Sequence, residues 1–468
     1  MTARSPSPRA MTEPTTHDTP RRTPLWQVAL VFGLLATLYA AVSIQQYNRM
    51  EAYVFDLGFF ESVIRDYAQG HLPQLPLTDT TNASLHFSPA LALLAPVVIV
   101  WSSPITVLVA QAVAVAAGVV PLMRAAGAGW MAWVVAVSYG LAPGFGALIG
   151  FDFHEVALAV PLLAFSMAAM LRSDHRAAVL WALPLVLVKE DLGLTVAALG
   201  FVVFLRGSRR LGVIAMVVGA VSFLLIALWL LPATQDAGGF AEQYGPAGPA
   251  EALHVLAEGA DRKVRTVLFL LIPTGFLALR SPMLLLVALP TYGWRFVSDR
   301  FTYWDPWYQY DAVLVPIAVA AMIEGARLLS APLRRLGLAA AVVGTLALVP
   351  QQAFSQVWER DFWRTPDRTA AVDRALAEIP TGSRVAASDT LGARIALRTE
   401  LYMVGDTYGV DGPPLSASEF DDVEWVAFDS RVLPAQVPAW KGFARLLATG
   451  DFSVVAEGGG VIVAQREG

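Results

Sequence analysis

Residues 21–44 read RRTPLWQVALVFGLLATLYAAVSI, in which two arginines precede an apolar run from Trp26 to Ile44. The run approaches the roughly 20 apolar residues that a helix needs to cross a bilayer. It is too long for the core of a signal peptide and lacks a small-residue cleavage pattern, so we expect a retained first span. The bias of cytoplasmic segments toward positive charge places Arg21 and Arg22 inside, together with the amino terminus.

The composition indicates a protein with many such spans. Of the 468 residues, 56% are hydrophobic and 15% are charged, and the mean hydropathy is +0.54. A soluble domain carries about 25% charged residues, so we expect a polytopic α-helical membrane protein. The net charge of -5 and the lack of a basic stripe argue against nucleic acid as a partner. Cysteine is absent from the sequence, which excludes disulfides and thiolate metal sites.

Charged residues and prolines divide the apolar sequence between residues 26 and 350 into about eleven predicted spans. This threading places the arginine clusters on the cytoplasmic face and leaves the carboxyl terminus outside. The segment from Pro89 to Trp101 is too short to cross, and we expect it to form a helix in the outer interface. The predicted spans are residues 26–44, 104–123, 130–149, 156–171, 177–190, 192–205, 211–231, 264–279, 282–294, 312–329 and 335–350.

Three regions follow from this pattern. Residues 1–25 are rich in Ser, Thr and Pro near the start and are predicted to form a disordered cytoplasmic tail. Residues 26–350 form the transmembrane domain, with a first extracytoplasmic loop at 45–88. Residues 351–468 alternate strand-like and helix-like runs, which predicts an extracytoplasmic α/β domain. We expect this domain to cradle substrate or to stabilise the protein, without chemistry of its own, and we expect a hairpin turn at its Gly458-Gly459-Gly460 sequence.

Asp56 is the first chemical candidate. It lies in Tyr53-Val-Phe-Asp-Leu-Gly-Phe-Phe60, where apolar and aromatic neighbours make the carboxylate costly to ionise and can tune it as a base. The alternative is that the aromatic side chains lie in the headgroup region and that Asp56 is a helix N-cap. The sequence leaves both interpretations open.

A second group of polar residues falls on the same predicted face. His86 precedes Ser88-Pro89, and Asp152, His154 and Glu155 lie where another span begins. Side chains of these types can bind a divalent cation or relay protons. They can equally satisfy backbone groups at the end of a helix.

Three consecutive ionisable residues, Lys189-Glu190-Asp191, interrupt an apolar stretch. Charges near the centre of a span cost about 2.5–3.5 kcal/mol each, so they pair, face a polar cavity or form a turn between two spans. The positive-inside bias favours two short passes or a broken helix, with Lys189 placed to meet an anion such as a lipid phosphate. Arg295 and Arg300 lie in an aromatic segment on the same face, whose rings suit either sugars or the membrane interface.

The motifs Asp56-Leu-Gly, His86-Phe-Ser-Pro89, Phe153-His154-Glu155 and Lys189-Glu190-Asp191, in this order, resemble a family of bacterial predicted membrane proteins defined as a domain of unknown function. The resemblance covers about residues 45 to 465. That family is similar to the GT-C class of integral-membrane glycosyltransferases, in a layout like that of protein mannosyltransferases and aminoarabinose transferases. The resemblance implies a base at Asp56, a polyprenyl-phosphate sugar as donor and an exterior domain. In this chain Leu57 follows Asp56, so an adjacent acidic pair is absent.

We therefore expect an inverting glycosyltransferase of the bacterial cytoplasmic membrane that modifies a cell-envelope glycan or glycolipid. Its partners would be the bilayer, a polyprenyl-phosphate sugar and an extracytoplasmic acceptor, which Asp56 would deprotonate. Lys189, with Arg295 or Arg300, would neutralise the departing phosphate. The residues expected to shape the cavity are His86, Asp152, His154, Glu155 and Glu190. A divalent cation (Mg²⁺ or Mn²⁺) would have candidate ligands in Asp152, His154 and His86.

Two other classes of function fit the same composition. A transporter or flippase of lipid-linked or small solutes would use the buried charges as a translocation path. Such a protein is expected to contain repeated halves with broken helices in matching places, and the sequence shows no such repeat. The third class is a non-enzymatic assembly protein of the cell envelope. The concentration of polar motifs in the amino-terminal half favours the enzyme.

The arginine pattern makes a prediction about topology. Reporters fused after Arg124 and after Arg210 should lie in the cytoplasm, because both positions end predicted spans beside basic clusters. A reporter fused after Pro366 should lie outside. Paired alkaline phosphatase and fluorescent-protein fusions measure the two locations, and a cytoplasmic signal from the carboxyl-terminal domain would contradict the scheme.

Overall fold

The structure, a computed structural model, describes residues 22–75, 80–81, 86–234, 248–403, 422–431, 447–448 and 450–467. The predicted disordered tail lies outside the described residues as far as Arg21. Helices make up almost all of the regular structure up to Leu376, and a small sheet follows.

Among the described residues, six helices are long and apolar enough to cross a membrane, and four further apolar helices are shorter. The six long helices are Leu25–Asn48, Pro104–Ala126, Trp130–Gly150, Arg209–Ala233, Phe301–Arg327 and Ala331–Gln351. The four shorter helices are Pro89–Val100, Glu155–Leu171, His175–Leu187 and Leu192–Leu205. The chain is therefore a helical membrane protein, while the predicted count of about eleven full spans is not confirmed.

Lys189-Glu190-Asp191 separates two of the shorter helices, His175–Leu187 and Leu192–Leu205. The predicted break at the charged triplet is therefore confirmed. Pro89–Val100 also forms a short apolar helix, which begins as the 3₁₀ segment Pro89–Leu94 with proline at a first-turn position that tolerates it.

The predicted span at 264–279 is interrupted in the structure, whereas 282–294 is helical throughout as successive α and 3₁₀ segments. Gly275 and Phe276 adopt left-handed backbone conformations, with φ of 55° and 58°, directly after a 3₁₀ turn that contains Pro273. Pro282 then starts a new helix, since proline fits the first helical position. The resulting short elements are Ala260–Leu271, Ile272–Thr274, Leu277–Arg280, Pro282–Leu285, Leu286–Ala288 and Leu289–Val297.

Short helices and turns connect the bundle to the rest of the chain. Between the first span and residue 75 these are the π-helical turn Val54–Gly58 and the helix Phe59–Ala68. Further along they are Pro249–Ala257, Ala353–Trp358, Arg360–Trp363, Thr369–Leu376 and Asp389–Ile395.

The helices pack around a large apolar core in which two buried tyrosines are bonded to backbone groups. Tyr39 is fully buried and donates to the Gly140 carbonyl oxygen at 2.7 Å. Tyr139 is also fully buried and donates to the Val115 carbonyl oxygen at 2.6 Å. Since a buried hydroxyl is costly without a partner, each bond fixes how neighbouring helices pack.

Within the described ranges, the strands form one antiparallel pair and one five-stranded sheet. The pair joins Gln74–Leu75 (β1) to Thr80–Thr81 (β2). The sheet has the order β4-β3-β5-β7-β6, with β3 parallel to β4 and β5, and β7 antiparallel to β5 and β6. Its strands are Arg384–Ala387 (β3), Glu400–Met403 (β4), Trp425–Asp429 (β5), Phe452–Gly458 (β6) and Val461–Arg466 (β7).

This sheet, with the helices Thr369–Leu376 and Asp389–Ile395, is the predicted small α/β domain. Gly459 and Gly460 join β6 to β7 with φ of 62° and 90°, so the hairpin turn predicted for this glycine run is confirmed. A left-handed backbone at two successive residues favours glycine over any residue with a side chain.

The core of the carboxyl-terminal domain includes two residues from the segment after the first span. Met50 and Val54 are buried in one cluster with Leu391, Ile395 and Leu401. The first loop and the domain therefore share a hydrophobic core, although more than 300 residues separate them in sequence.

The helices Leu192–Leu205 and Arg209–Ala233 approach each other so closely that glycine is required between them. A Cβ atom placed on Gly212 would lie 2.5 Å from the Phe204 nitrogen and 2.7 Å from the Gly200 oxygen. Gly212→Ala should therefore lower the free energy of unfolding by about 1–3 kcal/mol through overpacking.

Thermal denaturation of the detergent-solubilised protein measures this effect. Gly33→Ala is the matched control, because Gly33 also lies within a span and a Cβ atom there would have no neighbour within 4 Å. Equal melting temperatures for the two variants would contradict the close packing of this helix pair.

Candidate functional site

The candidate site is built around the Asp56 turn, the π-helical turn Val54–Gly58 that leads into the helix Phe59–Ala68. The chain enters it through Tyr53 in an extended conformation, and no side chain of the turn caps it. The interpretation of Asp56 as a helix N-cap was therefore wrong, because the cap position belongs to Tyr53.

Two carboxylates from distant parts of the chain accept the first backbone N–H groups of this turn. Tyr53 donates its N–H to Asp152 Oδ2 at 2.8 Å, and Val54 donates its N–H to Asp389 Oδ1 at 2.7 Å. The start of a helix leaves N–H groups without helical partners and attracts negative charge. Asp152 and Asp389, both buried, accept two of these N–H groups, so the Asp56 side chain stays available for other contacts.

The Asp56 carboxylate lies beside His154. Asp56 Oδ1 is 3.3 Å from His154 Nε2, at ion-pair distance, and a Phe60 ring contacts the imidazole edge at 5.6 Å between centroids. Burial lowers the pKa of His154 to about 4. His154 is therefore neutral near pH 7 and acts on Asp56 as a polar neighbour without a full positive charge.

Burial and nearby negative charge together make Asp56 unusually basic. Burial, followed by the negative charges of Asp389 and Glu155, raises the pKa of Asp56 to about 7. Burial also raises the pKa of Asp152 well above its ordinary value, with a contribution from the charge of Asp56. A carboxyl group with a pKa near the working pH is suited to accept a proton in a reaction.

His154 and Asp152 are positioned by a glutamine from a membrane helix. Gln111, in the helix Pro104–Ala126, accepts the His154 backbone N–H at 2.9 Å and donates to the Asp152 carbonyl oxygen. On the other side of the imidazole, Gln309 Nε2 lies 3.5 Å from His154 Nδ1. The segment that faces Asp56 is thus fixed from two helices.

Lys189, Glu190 and Asp191 point to three different partners. Lys189 Nζ lies 2.7 Å from Glu155 Oε1, in a buried ion pair. Glu190 accepts from the Phe87 backbone N–H at 3.1 Å, and its other oxygen lies 3.2 Å from His86 Nδ1. The anion that Lys189 meets in this structure is therefore a glutamate of the protein.

Asp191, the last residue of the triplet, contacts a third partner. Its carboxylate accepts from Trp294 Nε1 at 3.0 Å. The three consecutive residues hold the helix Leu192–Leu205 against three separate neighbours, as expected for adjacent positions on a helical turn.

The two candidate arginines have different environments. Arg295 is completely buried and pairs with Asp311 at 2.6 Å, and its Nε donates to the Tyr303 carbonyl oxygen at 2.5 Å. Its guanidinium is therefore inside the protein and does not face a surface that a lipid phosphate reaches. Arg300 is exposed, next to the ring of Tyr303.

Sequence reasoning missed Asp389 and the two glutamines Gln111 and Gln309. Gln111 was detectable as a lone amide within an apolar span, since a buried amide needs a specific partner. Asp389 follows a strand and starts a helix, a position typical of local capping. Nothing in the local sequence indicates that its side chain reaches a loop 335 residues away.

The candidate metal ligands occupy separate positions in the structure. Asp152 accepts a backbone N–H, His86 pairs with Glu190 and His154 faces Asp56. Within the part of the chain that the structure describes, no group of three or more His, Asp and Glu side chains is arranged to hold a metal ion. The divalent cation stays a prediction from the sequence.

Two comparisons with known proteins give matches. A family model described as "Predicted membrane protein (DUF2079)" matches residues 46–463. The chain is also similar in fold to the crystal structure of ArnT from Cupriavidus metallidurans bound to undecaprenyl phosphate, with a TM-score of 0.55 and 15% sequence identity. That similarity covers 94% of this chain and 98% of ArnT. Curated protein sequences give no match.

The basic Asp56 makes a prediction about stability. Its pKa is about 7 in the folded protein and has an ordinary value of 3.8, so the native state holds the proton more tightly than the unfolded chain. Ionisation therefore destabilises the native state progressively between about pH 4 and pH 7. Asn cannot ionise. The free energy of unfolding of Asp56→Asn, minus that of wild type, should therefore increase as the pH rises through this range and stay constant above it.

Thermal melting temperatures of the two proteins from about pH 5 to pH 8 test this expectation. Asp422→Asn, at an exposed position of the carboxyl-terminal domain, controls for loss of one carboxylate. A difference between Asp56→Asn and wild type that does not change with pH would contradict the raised pKa.

Proposed function

The chain belongs to the family of predicted membrane proteins described as DUF2079, and we propose that it is an integral-membrane glycosyltransferase. The donor in this proposal is a sugar linked to a polyprenyl phosphate, and the acceptor is a cell-envelope glycan or glycolipid. The observation that carries the proposal is the buried Asp56, with a pKa of about 7, beside a neutral His154. The ArnT-like fold, known with bound undecaprenyl phosphate, supports it.

The reaction is an inverting transfer with one base. Asp56 takes the proton from an acceptor hydroxyl while the hydroxyl oxygen attacks the anomeric carbon of the donor. The bond between that carbon and the phosphate oxygen breaks, and the polyprenyl phosphate leaves with the bonding electron pair. No second acid is needed when the leaving group is a phosphate, so the absence of a second acidic residue at Leu57 is compatible with this chemistry.

His154 orients the base in this mechanism. His154 Nε2 lies 3.3 Å from Asp56 Oδ1, and in this proposal it holds that oxygen in place and leaves Oδ2 for the acceptor hydroxyl. Because His154 is neutral, it does not lower the basicity of Asp56 as an imidazolium ion would. The pair thus combines a fixed direction with a proton affinity suited to neutral pH.

Arg300 is the residue that we assign to the phosphate. It is exposed beside the aromatic segment Phe301–Trp304, where a lipid phosphate at the membrane surface can approach it. A guanidinium can form two parallel hydrogen bonds with phosphate oxygens and stabilise the charge that develops on the leaving group. Lys189 is held in the ion pair with Glu155. We therefore assign it no direct contact with the phosphate.

The site lies on the outer face of the cytoplasmic membrane in this proposal. The arginine pattern of the sequence predicts that the carboxyl-terminal domain lies outside the cytoplasm. Asp389 of that domain accepts a backbone N–H of the Asp56 turn, so Asp56 lies on the same side of the membrane as the domain. A polyprenyl-phosphate sugar delivered to the outer leaflet would meet Asp56 there.

The test of this function is the activity of Asp56→Asn. Asn has nearly the same shape but cannot take up a proton, so the variant should lose about two to four orders of magnitude in the rate of sugar transfer. The measurement is transfer from polyprenyl-phosphate sugars in membranes that contain equal amounts of each protein. Asp422→Asn, at an exposed position of the carboxyl-terminal domain, should transfer at the wild-type rate.

Lipid analysis of cells separates the enzyme from a transporter. Loss of a transferase should lead to accumulation of a polyprenyl-phosphate sugar, whereas loss of a transporter should leave that lipid pool unchanged. Wild-type transfer by Asp56→Asn would remove Asp56 as the base and with it this proposal.

A further inference from the structure

The carboxyl-terminal domain contributes a side chain to the Asp56 turn. Asp389, the first residue of the helix Asp389–Ile395, accepts the Val54 backbone N–H at 2.7 Å. The neighbouring N–H, of Tyr53, goes to Asp152 between two membrane helices at 2.8 Å. One end of the turn is therefore bonded to the membrane domain and to the carboxyl-terminal domain at adjacent residues.

Packing reinforces this bond. Val54 is only 1% exposed and lies in the core of the carboxyl-terminal domain with Leu391 and Ile395. A Cβ atom on Gly392 would overlap the Val54 side chain, so the helix backbone approaches the turn as closely as glycine allows. Gly58, at the other end of the turn, faces the Ala393 backbone, with a Cβ position 3.4 Å from the Ala393 Cα.

We propose that Asp389 is a positioning residue for Asp56, so that the carboxyl-terminal domain completes the site of the membrane domain. This inference rests on the proposed function, in which Asp56 is the base. Asp152 anchors the turn at the Tyr53 N–H, and Asp389 anchors it at the next residue, Val54. The second anchor, two residues before Asp56, fixes the direction in which the Asp56 carboxylate points, and catalysis depends steeply on such alignment.

Asp389 also acts on Asp56 through its charge. Titratable groups surround Asp56 from four parts of the chain. They are Asp389 in the domain, Tyr53 at the start of the turn, Asp152, His154 and Glu155 before the helix Glu155–Leu171 or in its first turn, and Tyr308 and Tyr310 in Phe301–Arg327. Negative charge on Asp389 raises the proton affinity of Asp56. The side chain thus has two separable properties, a hydrogen-bond acceptor and a negative charge.

Two substitutions separate these properties. Asp389→Asn keeps an oxygen that can accept the Val54 N–H and removes the charge, so the acid limb of the pH profile of kcat should move to lower pH with the maximal rate largely retained. Asp389→Ala removes both, and we expect kcat to fall by about tenfold or more with little change in KM, by loss of alignment. Asp422→Asn, in the same domain but exposed, should match wild type in both measurements.

A second measurement reports on the turn without using enzyme activity. The chain contains no cysteine, so Phe55→Cys, at a position 39% exposed, introduces the single thiol of the protein. The rate of maleimide labelling at this thiol should rise several-fold when Phe55→Cys is combined with Asp389→Ala. Combination with Asp422→Asn should leave the rate unchanged. Equal labelling rates in the Asp389→Ala and Asp422→Asn backgrounds would overturn the positioning role.

The two measurements distinguish failure of this inference from failure of the proposed function. If Asp56→Asn is inactive while Asp389→Ala retains wild-type kcat and labelling, the transferase stands and Asp389 does not position its base. If labelling depends on Asp389 but Asp56→Asn remains active, Asp389 anchors the turn and the proposed function fails. A pH profile of Asp389→Asn identical to that of wild type would contradict the charge effect.

Discussion

The site depends on the need of buried backbone N–H groups for acceptors. The Asp56 turn begins with two such groups, at Tyr53 and Val54, and the chain supplies Asp152 and Asp389 for them. A buried N–H without a partner costs about as much as a lost hydrogen bond, so the two carboxylates are held at the turn by the fold itself. The membrane domain and the carboxyl-terminal domain meet at these bonds.

Burial and nearby negative charge set the proton affinity of Asp56. Burial raises its pKa most, and the charges of Asp389 and Glu155 add to the increase. A full positive charge next to them would cancel this effect. The imidazole nearest to Asp56 is neutral, and the Lys189 ammonium is paired with Glu155. The structure thus compensates its buried charges in pairs while it leaves Asp56 basic.

The buried pair of Arg295 and Asp311 has a different consequence. Arg295 lies in an aromatic segment that the sequence predicts to be on the outer face. An arginine that binds a ligand could have the same aromatic neighbours. In the structure its guanidinium lies between the rings of Tyr292 and Tyr310 and is bonded to Asp311. Removal of one partner of a buried ion pair leaves an uncompensated charge, so this arginine holds the helix Leu289–Val297 against the start of the next long helix.

Local patterns in the sequence predicted the membrane class, the first span, the break at Lys189-Glu190-Asp191, the small α/β domain and its glycine hairpin. These features follow from hydrophobicity, charge and glycine, which act over neighbouring residues. The sequence also singled out Asp56 and His154 without showing that they touch. Packing of the chain settled three features that local patterns do not reveal: the predicted span 264–279 is interrupted at Gly275, Lys189 meets Glu155, and Asp389 reaches the Asp56 turn. The physical reason is that a charge or a backbone N–H needs only a partner of suitable chemistry, and which distant residue supplies it is settled when the helices pack.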